Sequence, residues 1–248
     1  MDPNPYAPPD AQPANSQMIC HSCGIMAPPG SQVCSGCGAA IGAQNVAGVI
    51  RENHELRAAA RAQLSGKWLA AAALLFVYYV LSMGLHVIDA FMGWTIPGYI
   101  VQYIVGGPLT LGMMAYFLAN ARGTQVRFGN LFDGFQQFGK SAILYFLFSL
   151  FVMLWSLLLI VPGIIKSFSY SMSYFILRDN PEIGAMEALS RSKKMMNGYK
   201  WKLFCLYLSF TGWFLLSALT LGIGSLWVGA YAMQSMANFY EDIKYNNA

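Results

Sequence analysis

Residues 180–204 read NPEIGAMEALSRSKKMMNGYKWKLF, and how this stretch is read decides how the rest of the chain divides. Asn180 followed by Pro181 has the form of an N-cap and first helical residue, and Gly198 stands where a helix stops, which predicts a helix over 181–197. An apolar run over about 201–220, the break TLGIG at 220–224 and a second run over about 223–240 that ends in NFYEDIK then form a hairpin. Each arm approaches the roughly 20 residues a helix needs to cross hydrocarbon. The unit is therefore a surface helix, a stop and a membrane hairpin.

The same plan recurs upstream. Residues 51–68, RENHELRAAARAQLSGKW, place Leu56, Ala60 and Leu64 four apart, which predicts an amphipathic helix closed by Gly66. Apolar runs follow over about 68–90 and 98–119. Residues 127–140, RFGNLFDGFQQFGK, put Phe128, Leu131, Phe132, Phe135 and Phe138 at helical spacing, the pattern of a second interfacial helix, stopped by Gly139. Two further runs, about 141–161 and 164–178, are divided at VPGIIK, where Pro162 favours a hairpin over one long helix. A shift of 59 residues lays Gly139 on Gly198 and Gly163 on Gly222, suggesting that the last two hairpins are duplicates.

Composition agrees with this division. Of the 248 residues, 56% are hydrophobic and only 10% charged, with a mean hydropathy of +0.44, too little charge for the surface of a soluble domain. The expected fold is an all-α polytopic membrane protein with six transmembrane helices as three hairpins. Residues 54–242 form its membrane domain, and the first apolar run acts as an uncleaved targeting signal. Lys and Arg set the orientation. Four lie in 51–67, three in 122–140, six in 178–202 and one at Lys244, all on one side, with only Lys166 on the other. Basic loops stay in the cytoplasm, so both termini are expected there.

The N-terminal part is of another kind. Residues 1–16 are rich in Pro, Ala and Asn and are expected to be disordered, and 43–53 read as a linker. Between them, MICHSCGIMAPPGSQVCSGCGAAIG at 18–42 carries Cys20, Cys23, Cys34 and Cys37 as two C-x-x-C-G knuckles. Each spacing lets one tight turn aim two thiolates at one ion, and four sulfurs close a tetrahedral site, so residues 17–42 read as a zinc ribbon with a single structural zinc ion. Two disulfides would need an oxidising compartment, which the cytoplasmic placement disfavours. Nucleic acid is a disfavoured partner, because no Lys or Arg precedes Arg51 to neutralise phosphates. Cys205, alone in an apolar run, reads as a packing residue.

Ionisable residues within apolar runs are costly and become the candidate intramembrane polar site: His86, Asp89 and Lys166. They could form a proton relay, but their places near the outer ends of the runs favour headgroup depth, with Lys166 snorkelling or paired to Asp89. Gly106-Gly107-Pro108 could break its helix or allow close packing, and packing is favoured. Arg191, Lys193 and Lys194 are candidate contacts for anionic lipid headgroups. The sequence contains no nucleophile triad, paired carboxylates, H-E-x-x-H or phosphate loop, so an enzyme is not expected.

RENHELRAAARAQLSGKW, the VPGIIK turn running into SFSYSMSYFILRDNP, and EALSRSKKMMNGYKWKLFCLYLSFTGW with the closing NFYED resemble an uncharacterised bacterial membrane family, domain of unknown function 975, over roughly residues 50–242. The resemblance implies a multi-helix protein of the bacterial inner membrane, and a short N-terminal zinc ribbon is similar to that carried by some members. It implies no activity and no catalytic residues. The expected role is that of an adaptor, regulatory or assembly protein in the lipid bilayer, with the ribbon docking a cytoplasmic protein or its own membrane domain. The alternative is a transporter or channel for a small solute or lipid.

Overall fold

A computed structural model describes residues 18–19, 26–27, 50–92 and 95–246, with side chains described for 50–84 and 101–244 of the larger part. The chain divides into two units, Met1–Ala47 and Gly48–Ala248. In the first, strands β1 (Met18–Ile19) and β2 (Met26–Ala27) pair antiparallel, Met18 with Ala27 and Ile19 with Met26. The described residues of the second unit form helices joined by turns and short loops.

Helix α1 (Asn53–Leu64) opens on a capping box, in which the Glu52 backbone N–H donates to the Glu55 carboxylate at 2.8 Å. Leu56, Ala60 and Leu64 are its fully buried stripe. Gly66 takes φ +73°, a conformation that costs a side-chain-bearing residue more, and the chain turns by 97° into α2 (Trp68–Met92). A surface helix is thus joined to a long apolar one through a single elbow.

Helix α3 (Thr95–Ala121) runs unbroken through Pro108. Its glycines are packing surfaces: a Cβ on Gly107 would strike the Ser141 carbonyl, and one on Gly112 would overlap the Leu131 carbonyl oxygen. The packing reading of Gly106-Gly107-Pro108 therefore holds, and no mid-helix break forms. Leu131 belongs to Phe128–Gln137, which is a 3₁₀ helix and not the expected interfacial α-helix. Three residues per turn line up Leu131 with Gly134, both buried against α3, while Phe132, Phe135 and Phe138 stack in an exposed row with ring centroids 6.3 Å apart. The apolar face expected from α-helical spacing is split in two.

Gly139 does not stop a helix. It lies inside α4 (Phe138–Leu158), which follows the 3₁₀ segment directly. The chain then extends for one residue, Leu159 at φ −160° and ψ 143°, and returns as α5 (Ile160–Tyr170) with Pro162 in its first turn, where its missing N–H costs nothing. Gly163 against Ser156 and Tyr170 against Phe151 show the two helices antiparallel, so the hairpin reading is correct. The proposed repeat is not upheld at its glycines. Gly163 is a helical contact point, whereas Gly222 occupies a turn at φ +84°.

A short α6 (Ser173–Asp179) continues α5 after a break at Ser171–Met172. Ser192 bridges that break: its hydroxyl donates to the Ser169 carbonyl at 2.9 Å and accepts the Met172 N–H at 3.2 Å. Ser192→Ala would leave a buried N–H without a partner and is expected to cost about 2 kcal/mol, measured as a lower unfolding midpoint in detergent; an unchanged midpoint would refute the bridge. Ser192 sits on α7 (Ala185–Met195), which starts later than Asn180-Pro181 suggested. Asn180 instead ends α6, and Gly184 precedes α7 in extended backbone. Gly198 at φ +85° does end the surface segment.

Helices α8 (Lys200–Ala218) and α9 (Ser225–Asn246) form the last hairpin. Four helices among the described residues are long and apolar enough to cross a membrane, or five if α1 and the described part of α2 count as one bent span. Helix α9 is not among them. It packs against α1, α2, α3 and α8 and buries Ala230, Gln234, Ala237, Asn238, Phe239, Tyr240 and Asp242, so it need not be apolar on every side.

Candidate functional site

The polar residues of the helical unit gather where α1 begins and α3, α6 and α9 end. On α9, Gln234, Asn238 and Asp242 stand four apart and form one polar stripe. Its last member accepts from Arg51: Nε donates to both Asp242 oxygens at 2.9 and 3.0 Å, a terminal nitrogen donates to Oδ1 at 2.5 Å, and the Arg51 backbone N–H donates to Oδ2 at 3.2 Å. The Asp242 side chain is 0% exposed. A second cluster joins α3, α6 and α9. Arg122 donates to both Asp179 oxygens at 2.8 and 2.7 Å and to Glu241 at 2.6 Å, while Lys244 and the Tyr240 hydroxyl donate to Asp179 at 2.6 and 2.9 Å. Burial alone would lower the Arg122 pKa, but the hydrogen bond to Asp179 and the charge of Glu241 outweigh it and hold the guanidinium above its ordinary value.

About two turns back along α9 from Asp242 lies an amide relay. Lys67 donates to Asn120 Oδ1 at 2.8 Å, Asn120 donates to Gln234 Oε1 at 2.9 Å, and Gln234 donates to Gln63 Oε1 at 2.8 Å. Together the two layers tie α1, α2, α3, α6 and α9 through paired groups, which makes this end a clamp. Sequence reasoning missed it. The four-residue spacing on α9 was a visible signal, but the partners lie far away, Arg51 from Asp242 by 191 positions.

The residues singled out from sequence fall in different places. The Lys166 ammonium stands 4.3 Å from the Trp155 ring centroid, a cation–π contact at the α4–α5 turn. The side chains of His86 and Asp89 lie outside the described residues. Arg191, Lys193 and Lys194 are all exposed on α7, and Arg191 pairs with Glu187 at 2.6 Å, one turn away. Cys205 is half-buried and free. Among the described residues no three His, Cys, Asp or Glu side chains converge on a metal position, and Cys20, Cys23, Cys34 and Cys37 fall outside them, as does the expected tail. The described β1–β2 pair does bring the chain back alongside itself on either side of residues 20–25, which carry the first knuckle. Four thiol ligands in two C-x-x-C pairs are the donor set of a closed zinc site.

Away from the clamp, a cavity of about 520 Å³ opens among α2 to α6, α8 and α9. Tyr78, Tyr145, Tyr174, Tyr207, Met113 and Met236 are among its lining residues, and none of the lining side chains is charged.

No curated protein and no solved structure matches this chain. Residues 50–166 and 157–247 match the family described as protein of unknown function DUF975, a match that takes in the clamp, the cavity and every described helix. The chain belongs to the DUF975 family.

Proposed function

We propose that this protein is a multi-pass adaptor of the bacterial inner membrane. Its six helices cross as three hairpins with both termini in the cytoplasm, and its ribbon holds one zinc ion through Cys20, Cys23, Cys34 and Cys37 and docks a cytoplasmic protein. The reading assigns no reaction to the chain. The observation that carries it is the clamp. The clamp end holds Arg51, Lys67, Arg122 and Lys244 in paired contacts across five helices. A transporter has to open each end in turn, and ion pairs that span several helices oppose that motion. A rigid membrane platform with a separate metal-bearing unit is better suited to recruitment. The exposed Arg191, Lys193 and Lys194 would rest against anionic headgroups on the same side.

The test has two arms. Purified protein in sealed vesicles should carry no flux of a panel of small solutes and lipids above that of empty vesicles, and flux that falls when the clamp is crosslinked shut would instead establish a transporter. Removing residues 1–42 should abolish recovery of cytoplasmic proteins that copurify with the full chain while leaving its unfolding midpoint unchanged; recovery of the same proteins by the shortened chain would refute docking by the ribbon. The metal has its own expected result. The full chain should carry stoichiometric zinc, and Cys34→Ser should lose it without changing membrane insertion. A full chain with no zinc, or with Cys20 in a disulfide, would contradict the assignment.

A further inference from the structure

The cavity has a feature that the clamp and the ribbon do not explain. It is lined by hydroxyl groups, and those that hold internal hydrogen bonds can be accounted for one by one. Tyr78 and Thr110 face each other at 3.3 Å, and Tyr207 donates to the Met236 sulfur at 2.9 Å. Ser167 and Ser171 donate to carbonyls of their own helix, Ile164 and Phe168, each at 2.8 Å. Tyr174 is different. It lines the cavity at 5% exposure, and its buried hydroxyl has no hydrogen-bond partner. A buried O–H left unpaired is costly, which makes such groups rare without a compensating partner.

We infer that this cavity binds a neutral, apolar molecule bearing a carbonyl oxygen, which accepts the Tyr174 hydroxyl proton. Three properties select that chemistry. No charged side chain lines the cavity, so an ion or a charged headgroup would be desolvated without compensation. The walls are aromatic rings and methionine sulfurs, Phe148 and Phe168 with Met113 and Met233, which suit flat or chain-like apolar bodies. The volume of about 520 Å³ lies within the range of small-molecule sites, roughly 300–1,000 Å³. Access comes from the side. Half-buried lining residues stand on several helices, among them Tyr78 on α2, Tyr145 and Phe148 on α4, Phe168 on α5, Tyr207 on α8 and Met233 on α9, so the cavity is open between helices and not sealed. A molecule already dissolved in the bilayer can enter there. Two sources carry this chemistry, the ring carbonyls of a prenylated quinone and the ester carbonyls of an uncharged diacyl lipid. The inference stands apart from the adaptor reading, since a recruited partner and an occupied cavity are separate properties.

The full chain, purified in detergent micelles, is titrated with decyl-substituted benzoquinone and, separately, with dioctanoylglycerol, and binding is read by native mass spectrometry. Saturable binding of either probe supports the cavity and identifies its source, and binding of both means that the carbonyl alone is read. Tyr174→Phe removes the hydroxyl and keeps the ring. Its unfolding midpoint without probe should equal or exceed that of the parent, and its affinity should fall about five- to tenfold, the value of one hydrogen bond that no longer forms. Ser167→Trp, at a half-buried position of the lining, should block either probe. Failure of the parent to bind both probes, unchanged affinity in Tyr174→Phe, or unchanged binding in Ser167→Trp would overturn the inference.

Discussion

Replacing Asp242 by Ala is expected to destabilise the protein by about 3–5 kcal/mol, the usual consequence of removing one member of a buried ion pair. Arg51 would keep its charge in a site where its side chain is only 21% exposed and would lose four hydrogen bonds to a carboxylate that is itself fully buried. The change also frees the start of α1 from the end of α9. Asp242→Asn should cost less, because it keeps an acceptor oxygen of the same shape. The double replacement Arg51→Met with Asp242→Leu should recover much of the loss, since no charge is then left unpaired. Equilibrium unfolding in mixed micelles measures all three. A loss below about 1 kcal/mol for Asp242→Ala would mean that the pair behaves as an exposed one.

Gly112→Leu is expected to have an effect of similar size by a steric route. Its Cβ would overlap the Leu131 carbonyl oxygen, a backbone atom that cannot move aside by changing rotamer. The 3₁₀ segment would have to lift from α3, a strain of about 3 kcal/mol or more. Gly134→Ala should act in the same direction from the other side of the contact, where its Cβ would meet the Pro108 carbonyl. Gly212→Ala is the control, because a Cβ there meets nothing within 4 Å. The measurement is the unfolding midpoint together with protease cleavage within 128–137. Parental values for Gly112→Leu would show that the segment does not rest on the helix as described.

The readable parts of the sequence were the local ones. Gly66 and Gly198 take positive φ where a helix had to stop, and Pro162 marks a return because it fits a helix's first turn better than its interior. Leu56, Ala60 and Leu64 sit on the buried face of α1 because a surface helix has a wet side to contrast with a dry one. That contrast fails along a long apolar helix, where outward-facing and protein-facing positions are both apolar. Gly112 therefore gave no sign that it touched Leu131, and the phenylalanines of 128–138 were placed on one face when a three-residue turn spreads them over another. The clamp was hidden for a different reason. Asp179, Glu241 and Asp242 look like ordinary loop and terminal charges until the chain brings Arg51 and Arg122 to them across the bundle. The two C-x-x-C pairs are visible from spacing alone, because each is written in consecutive residues, but Cys20, Cys23, Cys34 and Cys37 lie outside the described residues.

The buried position of α9 sets what that helix depends on. It carries Gln234, Asn238, Glu241 and Asp242, polar and charged groups that are costly to bury without partners. Those partners come from elsewhere in the chain: Asn120 donates to Gln234, Arg51 donates to Asp242, and α1, α2, α3 and α8 pack around the helix. Helix α9 therefore reports on the rest of the bundle: a change that displaces Asn120 or Arg51 takes a buried hydrogen bond from Gln234 or Asp242, so damage to distant segments converges on one helix.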